Sequence, residues 1–580
     1  MSPRAERGGG ATRSVGVIER RGRFLVAEPL FEQGPQVAVD RGARNFAGRI
    51  ALVEFGRGRA RALRDLGSPR RASDVVGALL WDRLERRGFP ARLQEAAGEA
   101  AARVQGRPGS RRDLAELPTF TVDPASAHDF DDAVSAERDG DGTRLWIHIA
   151  DVSAHVRPGD GLDREAYRRA NSTYAPGTAE PMLPEALSSD ACSLVPGAER
   201  LAVTTELELG ADGRPRKASF YRSRIRSDAR LDYDEIDEIF AGRAAAPSAV
   251  AAPLALARDA ARALGALRAG SALQVDSREP EFGFDEEGGV VSAHAVEQTE
   301  AHRLIEQLMI ATNEQVAGLL ERRRVPALYR VHEQPDPARV EALIEKLAAL
   351  DLPTPPLPEG LSPGQAAEVV AEASRLVAAE AARRGHGRES YTSLVLRALK
   401  QAHYSDRNLG HAGLGSSAYC HFTSPIRRYP DLVCHRALLA VLGEGEETPS
   451  RDLVREAAVH CSERERESAR IERDADDVCA AFLLERELYE GGWERRFEGE
   501  VRGLIGAGAF VAFGGELGDV YEGFLPARRI RGERFELNET ETALVGTRTE
   551  RAVRLGDPLT VTVEKVEAAR GRVDLEPADG

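Results

Sequence analysis

Short apolar stretches at Val15–Ile18, Phe24–Ala27, Val37–Val39 and Ile50–Phe55 are punctuated by Gly, Arg and Gln at hairpin-like intervals, which predicts a small all-β module. After Gly67-Ser68-Pro69 the period changes. Val75, Val76, Leu79, Leu80 and Leu84 fall at helical spacing, and the pattern continues to about residue 105 before Gly106–Ser110 breaks it. Strand patterning follows at Thr119–Val122, Ala133–Ala136 and Leu145–Val152, the last two joined by Asp139-Gly140-Asp141-Gly142, a hairpin turn. Residues 250–320 and 363–404 are rich in Ala and Leu at helical spacing, and Pro353–Pro358 separates two helical runs. A long charged helix is expected over Arg455–Leu488. From Phe497 onward β-patterning returns, with Gly506, Gly508, Gly514 and Gly515 at turns. The layout is an α+β multidomain chain: a β module (1–66), a helical connector (67–115), an α/β body (116–490) and a terminal β module (495–577). No solenoid repeat is visible.

Length agrees, since 580 residues exceed one ordinary core. With 42% hydrophobic and 30% charged residues, the composition is that of a folded chain rather than a disordered one. No apolar run approaches the roughly 18 residues that cross a bilayer. The start, Met1-Ser2-Pro3-Arg4 and then glycines, has no apolar segment of the secretory kind. Five cysteines (192, 420, 434, 461 and 479) form no C-x-x-C pair, so a reducing cytoplasm is the expected setting and no disulfide partner is expected. Charge is uneven. Residues 1–115 carry 23 Arg against 13 Asp or Glu, although the whole chain stands at -15. Either a basic arm guides a polyanion, or the Arg content is a solvated surface reflecting base composition, since Lys occurs only at 217, 346, 400 and 565.

The most informative segment runs from Thr121 to Val134, where Asp123, Asp129, Asp131 and Asp132 lie between two expected strands. Were they to converge, each pair at about 4 Å would repel by roughly 4 kcal/mol at an effective dielectric of about 20. Divalent cations resolve such a cluster, and an all-oxygen donor set selects Mg²⁺ or Mn²⁺ over zinc. An ordinary solvated acidic loop has the same spacing, so the residues alone leave both readings open. Far downstream, Ser424-Pro425 followed by Arg427 and Arg428 reads as a helix start whose first-turn amides and Arg427 suit a phosphate, or as a structural arginine on a helix end.

Together these two segments resemble the ribonuclease II and ribonuclease R family, whose catalytic unit is the RNB domain. The acidic signature stands as Asp123-Pro124 through Asp129, Asp131, Asp132 and Ala133. The second signature stands as His421-Phe422-Thr423-Ser424-Pro425-Ile426-Arg427-Arg428-Tyr429-Pro430-Asp431-Leu432. Ile147–Ser153, Pro181–Pro184 and Leu328–His332 are also similar to the family. The resemblance implies an OB- or cold-shock-like N-terminal barrel, a central α/β RNB domain and an S1-type OB-fold barrel. It implies a monomeric exoribonuclease that degrades single-stranded RNA processively from the 3′ end to nucleoside 5′-monophosphates, with two Mg²⁺ ions, or Mn²⁺ as substitute. Asp123, Asp129, Asp131 and Asp132 would hold or orient the metal. Asp131 would position the attacking water, and Arg427 would bind the scissile phosphate. Tyr174, Tyr329, Glu472 and Arg428 would contact RNA.

The chain also departs from that family. Only about 55 residues of β pattern precede the connector where the family usually has two barrels, and no Lys-rich tail closes the sequence. Both differences put action on structured RNA in doubt. Two other readings stay open: a non-catalytic RNA-binding scaffold of the same architecture, and a metal-dependent endonuclease.

Overall fold

The computed structural model describes residues 12–55, 59–84, 87–106, 110–268, 279–296, 298–514, 520–530, 532–549 and 551–578. The chain start, the middle of the Gly106–Ser110 break and the Gly515 turn lie outside them.

Alternating apolar positions in the first module produce five strands: Thr12–Arg21, Phe24–Pro29, Val37–Ala38, Ile50–Phe55 and Ala60–Gly67. The long first strand pairs antiparallel with the second and the fourth. A parallel bridge between Val39 and Ala60 then brings the end of the third strand to the fifth. The terminal module repeats this connectivity. Arg496–Ile505, Gly508–Phe513, Tyr521–Pro526, Pro558–Glu567 and Arg572–Pro577 close into a barrel whose third and last strands meet in parallel at Phe524 and Asp574. Gly508 is required there, because a Cβ would lie 2.2 Å from the Leu525 carbonyl oxygen.

The central sheet has seven strands, ordered Ala229–Leu231, Phe120–Val122, Asp132–Asp139, Gly142–Ala150, Glu199–Leu209, Pro215–Arg226 and Arg112–Asp113. The two outer strands run parallel to their neighbours and the rest are antiparallel. Arg112–Asp113 therefore belongs to the central sheet although it falls in the expected connector. Helices Ala251–Arg268 and Glu300–Arg323 cover one face. The span between them is not helical throughout. Glu279–Phe284 and Val290–Val296 form a hairpin, following the alternation of Phe282 and Phe284 and the turn at Gly288-Gly289.

One hydrophobic core runs from Val15 and Ile50 of the first barrel, through Val76 and Leu80 of helix Ala72–Leu84, to Leu484 of the long helix and Leu525 of the last barrel. The two barrels are thus packed as one body with the long helix, Arg451–Gly491, which is longer at both ends than its charge pattern suggested. Helices Pro337–Ala349, Pro363–Arg384 and Arg388–Ala398 pack around a separate core. All five cysteines are buried and free. Among the described residues no helix is long and apolar enough to cross a membrane.

Candidate active site

The acidic segment is an irregular connection between strands Phe120–Val122 and Asp132–Asp139. Its shape is fixed by backbone bonds. Asp123 donates its N–H to the Leu231 carbonyl (3.3 Å), Ala127 to Pro124 (2.9 Å), and the Asp131 carbonyl accepts from Ala150 (2.9 Å). Phe130 is buried, and its N–H donates to Ser193 Oγ at 3.0 Å. Arg230 grips the bend from outside, donating to the carbonyls of Pro124 (2.9 Å) and Ala125 (2.7 Å). Burying Phe130 orients the flanking aspartates inward, toward a cavity of about 500 Å³ lined by Asp123, Asp129, Asp132, Tyr174, Tyr233, Arg427 and Arg428, among others.

The second signature reaches this cavity from 295 residues away. The Ile426 N–H donates to Asp131 Oδ1 at 2.8 Å, and Arg427 Nε lies 3.6 Å from Asp131 Oδ2. The expected helix start at Ser424 is corrected here. Ser424–Arg428 is a turn, and the helix begins at Tyr429, with Pro430 in its first turn. Ser424 donates its amide to Asp431, so the amides at 424 and 426 both bind internal carboxylates and do not form an open anion site.

Electrostatics distinguish the two halves. Burial raises Asp131 well above the ordinary carboxylate range, with Arg427 opposing. Asp123 is pushed up to about 8 by burial and by the charges of Asp132 and Asp129, and Asp132 to about 6 by burial against the pull of Arg427 and Arg428. The Oδ2 atoms of Asp123, Asp131 and Asp132 are buried and accept no hydrogen bond among the described residues. Such oxygens are costly unless a cation satisfies them. Hard-oxygen chemistry and orphaned acceptors fit a divalent ion, although no three described His, Cys, Asp or Glu side chains already stand at metal-binding spacing.

Tyr174 stands at the rim, 41% exposed. Its OH donates to Asp129 Oδ2 (2.8 Å) and its N–H to Glu472 Oε1 (3.0 Å) on the long helix. Tyr329 does not join them. It is 5% exposed and packs in the central core, because strand Tyr329–Val331 turns that ring inward. Arg428 lines the cavity but donates to the buried Asp431 at 2.9 Å. Sequence reasoning missed Arg230 and also Tyr233, whose ring stacks on His302 at 3.9 Å. Neither stood in a chemical pattern, and only the parallel pairing of Ala229–Leu231 with Phe120–Val122 brings both to the acidic segment.

The RNB-domain family profile matches residues 111–444, more than half of the chain. The chain belongs to the RNB-domain family. Among other members, it is 36% identical to Ribonuclease R of Aquifex aeolicus over 475 residues, covering 80% of this chain and 64% of that one. It is 33% identical to Ribonuclease R 1 of Lactococcus lactis over 484 residues, covering 82% and 56%. The chain thus spans less than two thirds of either RNB-domain relative. In fold it is similar to Mycoplasma genitalium RNase R in complex with ribose methylated single-stranded RNA, with a TM-score of 0.85 at 24% identity over 97% of this chain and 89% of that one. The family resemblance read from the two signatures is borne out.

Proposed function

We propose that the chain is a metal-dependent exoribonuclease that hydrolyses single-stranded RNA processively from the 3′ end and releases nucleoside 5′-monophosphates. The observation that carries this reading is that Asp123, Asp129, Asp132 and Arg427 line one cavity, with Asp131 buried beside it against Arg427, and that one carboxylate oxygen each of Asp123, Asp131 and Asp132 accepts no hydrogen bond among the described residues. Asp123, Asp129, Asp131 and Asp132 are the residues that would hold Mg²⁺ or Mn²⁺, two ions being the family's expected number. When bound, the metal supplies a nucleophilic water and neutralises charge on the phosphate.

The chain's own groups do the rest. Asp131, fixed by the Ile426 amide, would position the attacking water toward the phosphorus. Arg427, 44% exposed at its side chain and turned to the cavity, neutralises a non-bridging phosphate oxygen as charge develops. Tyr174 offers an exposed ring on which a base stacks, a grip that any sequence can use. Glu472 accepts the Tyr174 N–H and would stand with that ring near the terminal nucleotide. The complex of the Mycoplasma genitalium protein with single-stranded RNA and the ribonuclease names of the relatives support RNA as substrate. The barrels at 1–66 and 495–577 are assigned to holding the strand upstream, in a cytoplasmic enzyme.

Incubation with a 5′-labelled oligo(A), Mg²⁺ and a chelator control tests this. Stepwise shortening to a small core with a pool of mononucleotides is expected, and the chelator should abolish it. Internal fragments would mean an endonuclease, and an intact strand a binding scaffold.

A further inference from the structure

We infer that Asp431 is a positioning residue for the Ser424–Arg428 turn, setting where the Arg427 guanidinium meets the phosphate. The inference rests on the proposed cleavage of a phosphodiester. Asp431 is completely buried in the first turn of helix Tyr429–Leu442 and is absent from the cavity wall. It therefore acts through other groups.

A single atom does most of this. Asp431 Oδ1 accepts the Ser424 N–H at 2.8 Å and Arg428 Nη2 at 2.9 Å. These two residues are the ends of the turn, and Arg427 lies between them. The amides of Arg427 and Arg428 donate back to the Ser424 carbonyl at 3.3 and 3.0 Å, which closes the turn on itself. Ser424 Oγ in turn accepts Arg427 Nη2 at 3.1 Å, so the placement of Ser424 passes directly to the guanidinium.

The remaining ties come from elsewhere. Ile426 is fastened to Asp131, and the Arg427 carbonyl accepts the Ser172 N–H at 2.9 Å, two residues before Tyr174. The turn is suspended between two buried aspartates. Asp131 meets the Ile426 amide and the Arg427 guanidinium, and Asp431 holds the Ser424 and Arg428 ends. A residue needed only to neutralise buried Arg428 would not also have to hold the Ser424 amide. The double acceptance is what makes position, rather than charge, the function of this carboxylate.

Position and charge separate in two substitutions. Asp431→Asn keeps an oxygen at Oδ1 and removes the charge. Asp431→Glu keeps the charge and moves the acceptor by one methylene. The measurements are kcat and KM on a single-stranded oligonucleotide with Mg²⁺, RNA affinity in chelator, and thermal midpoint. Asp431→Asn is expected to stay within about fivefold of the unaltered kcat, the cost of weakening one charged hydrogen bond. Asp431→Glu is expected to lose on the order of 100-fold in kcat, as a displacement of about 1 Å at the phosphate would. RNA affinity should be held within about threefold in both, because stacking and upstream contacts supply most of it. The inference is overturned if Asn loses as much kcat as Glu, if Glu retains full kcat, or if the loss resides in KM and affinity. Turnover by the unaltered chain tests the exoribonuclease reading separately, since only the ratios between variants bear on Asp431.

Discussion

The two halves of the site solve opposite problems. The Ser424–Arg428 turn is saturated from within, its amides at 424, 426, 427 and 428 each finding a carboxylate or carbonyl. The acidic segment leaves three buried oxygens without hydrogen bonds among the described residues, and burial raises Asp123, Asp131 and Asp132, with repulsion from neighbouring carboxylates adding at Asp123 and Asp131. The backbone of the turn is set from within, although Arg428 Nε and Asp431 Oδ2 beneath it also lack a hydrogen bond among those residues, whereas the acidic half gathers raised carboxylates with only Arg427, Arg428 and Arg230 to oppose them. Buried carboxylate oxygens without hydrogen bonds are costly, and three of them gathered beside so few arginines point to a further cation that offsets the cost. The turn shows what that cation meets: a guanidinium held by Ser424 on one side and paired with Asp131 on the other.

The hardest test of this contrast is Asp131→Asn. Asn keeps the oxygen that accepts the Ile426 amide and loses the charge, so the turn should stay in place. Turnover is expected to fall about 10³-fold or more, the scale seen when a preorganised electrostatic group is removed. The thermal midpoint of the metal-free protein should rise relative to the unaltered chain as pH increases, because burial raises the Asp131 acid and Asn cannot ionise. A variant that cleaves near normally, or melts lower without metal, would contradict the acidic half's need for a cation. Arg427→Ala probes the other half. About 10²-fold in kcat should be lost with at most a modest fall in metal-free stability, since this side chain is half exposed, its bond to Ser424 is local, and the raised Asp131 and Asp132 acids can take up a proton when its charge is removed. A large loss of stability would mean that the turn is not saturated without it.

Much of this was legible in the chain because the chemistry is dense where it matters. Asp123, Asp129, Asp131 and Asp132 stand within ten residues, and the second signature is a continuous run, so both could be read before folding. The barrels were visible through alternation at Val15–Ile18 and Phe497 onward. The failures came where a long-range contact decides. Tyr329 matches an aromatic position of the resembled family, but strand pairing with His403–Ser405 buries it. Ser424-Pro425 carries a helix-start pattern, yet Asp431 and Asp131 take the amides and delay the helix to Tyr429. Arg230 carried no local signal, because its value comes from a parallel neighbour more than 100 residues away. Local pattern reports which residues are chemical. Only the sheet reports which of them meet.

The contrast also makes a prediction about pH. Asp132 and Asp123 have folded-state values near 6 and 8, above the ordinary 3.8. A carboxylate raised on folding contributes stability that is fully present below its unfolded value and is lost as pH rises through the folded one. The metal-free midpoint should therefore decline between about pH 5 and pH 8.5. Mg²⁺ should hold these groups ionised and flatten the decline, so its stabilising effect should be larger at about pH 8 than at about pH 5.5. Thermal scans with and without chelator across that range read this directly. An equal shift at both ends would show that the acids are not raised by burial and repulsion.

The smallest expected effect lies where the halves touch through Tyr174. Its OH binds Asp129, its N–H binds Glu472, and Ser172 behind it binds the Arg427 carbonyl, so the ring is held by both parts of the site. Removing the ring in Tyr174→Ala should weaken RNA binding by about 1–3 kcal/mol, the worth of one stacked base, and leave a longer final product. Tyr174→Phe separates the ring from the OH. It keeps the stacking surface and frees Asp129 Oδ2, adding a fourth unsatisfied acid to the cavity. RNA affinity in chelator should then match the unaltered protein, while half-maximal activity should occur at a lower Mg²⁺ concentration, because the freed oxygen becomes available to the cation. A rise in the Mg²⁺ requirement would instead show that the Tyr174 OH orients Asp129 for the metal, making this hydrogen bond part of the acidic half rather than a restraint on it.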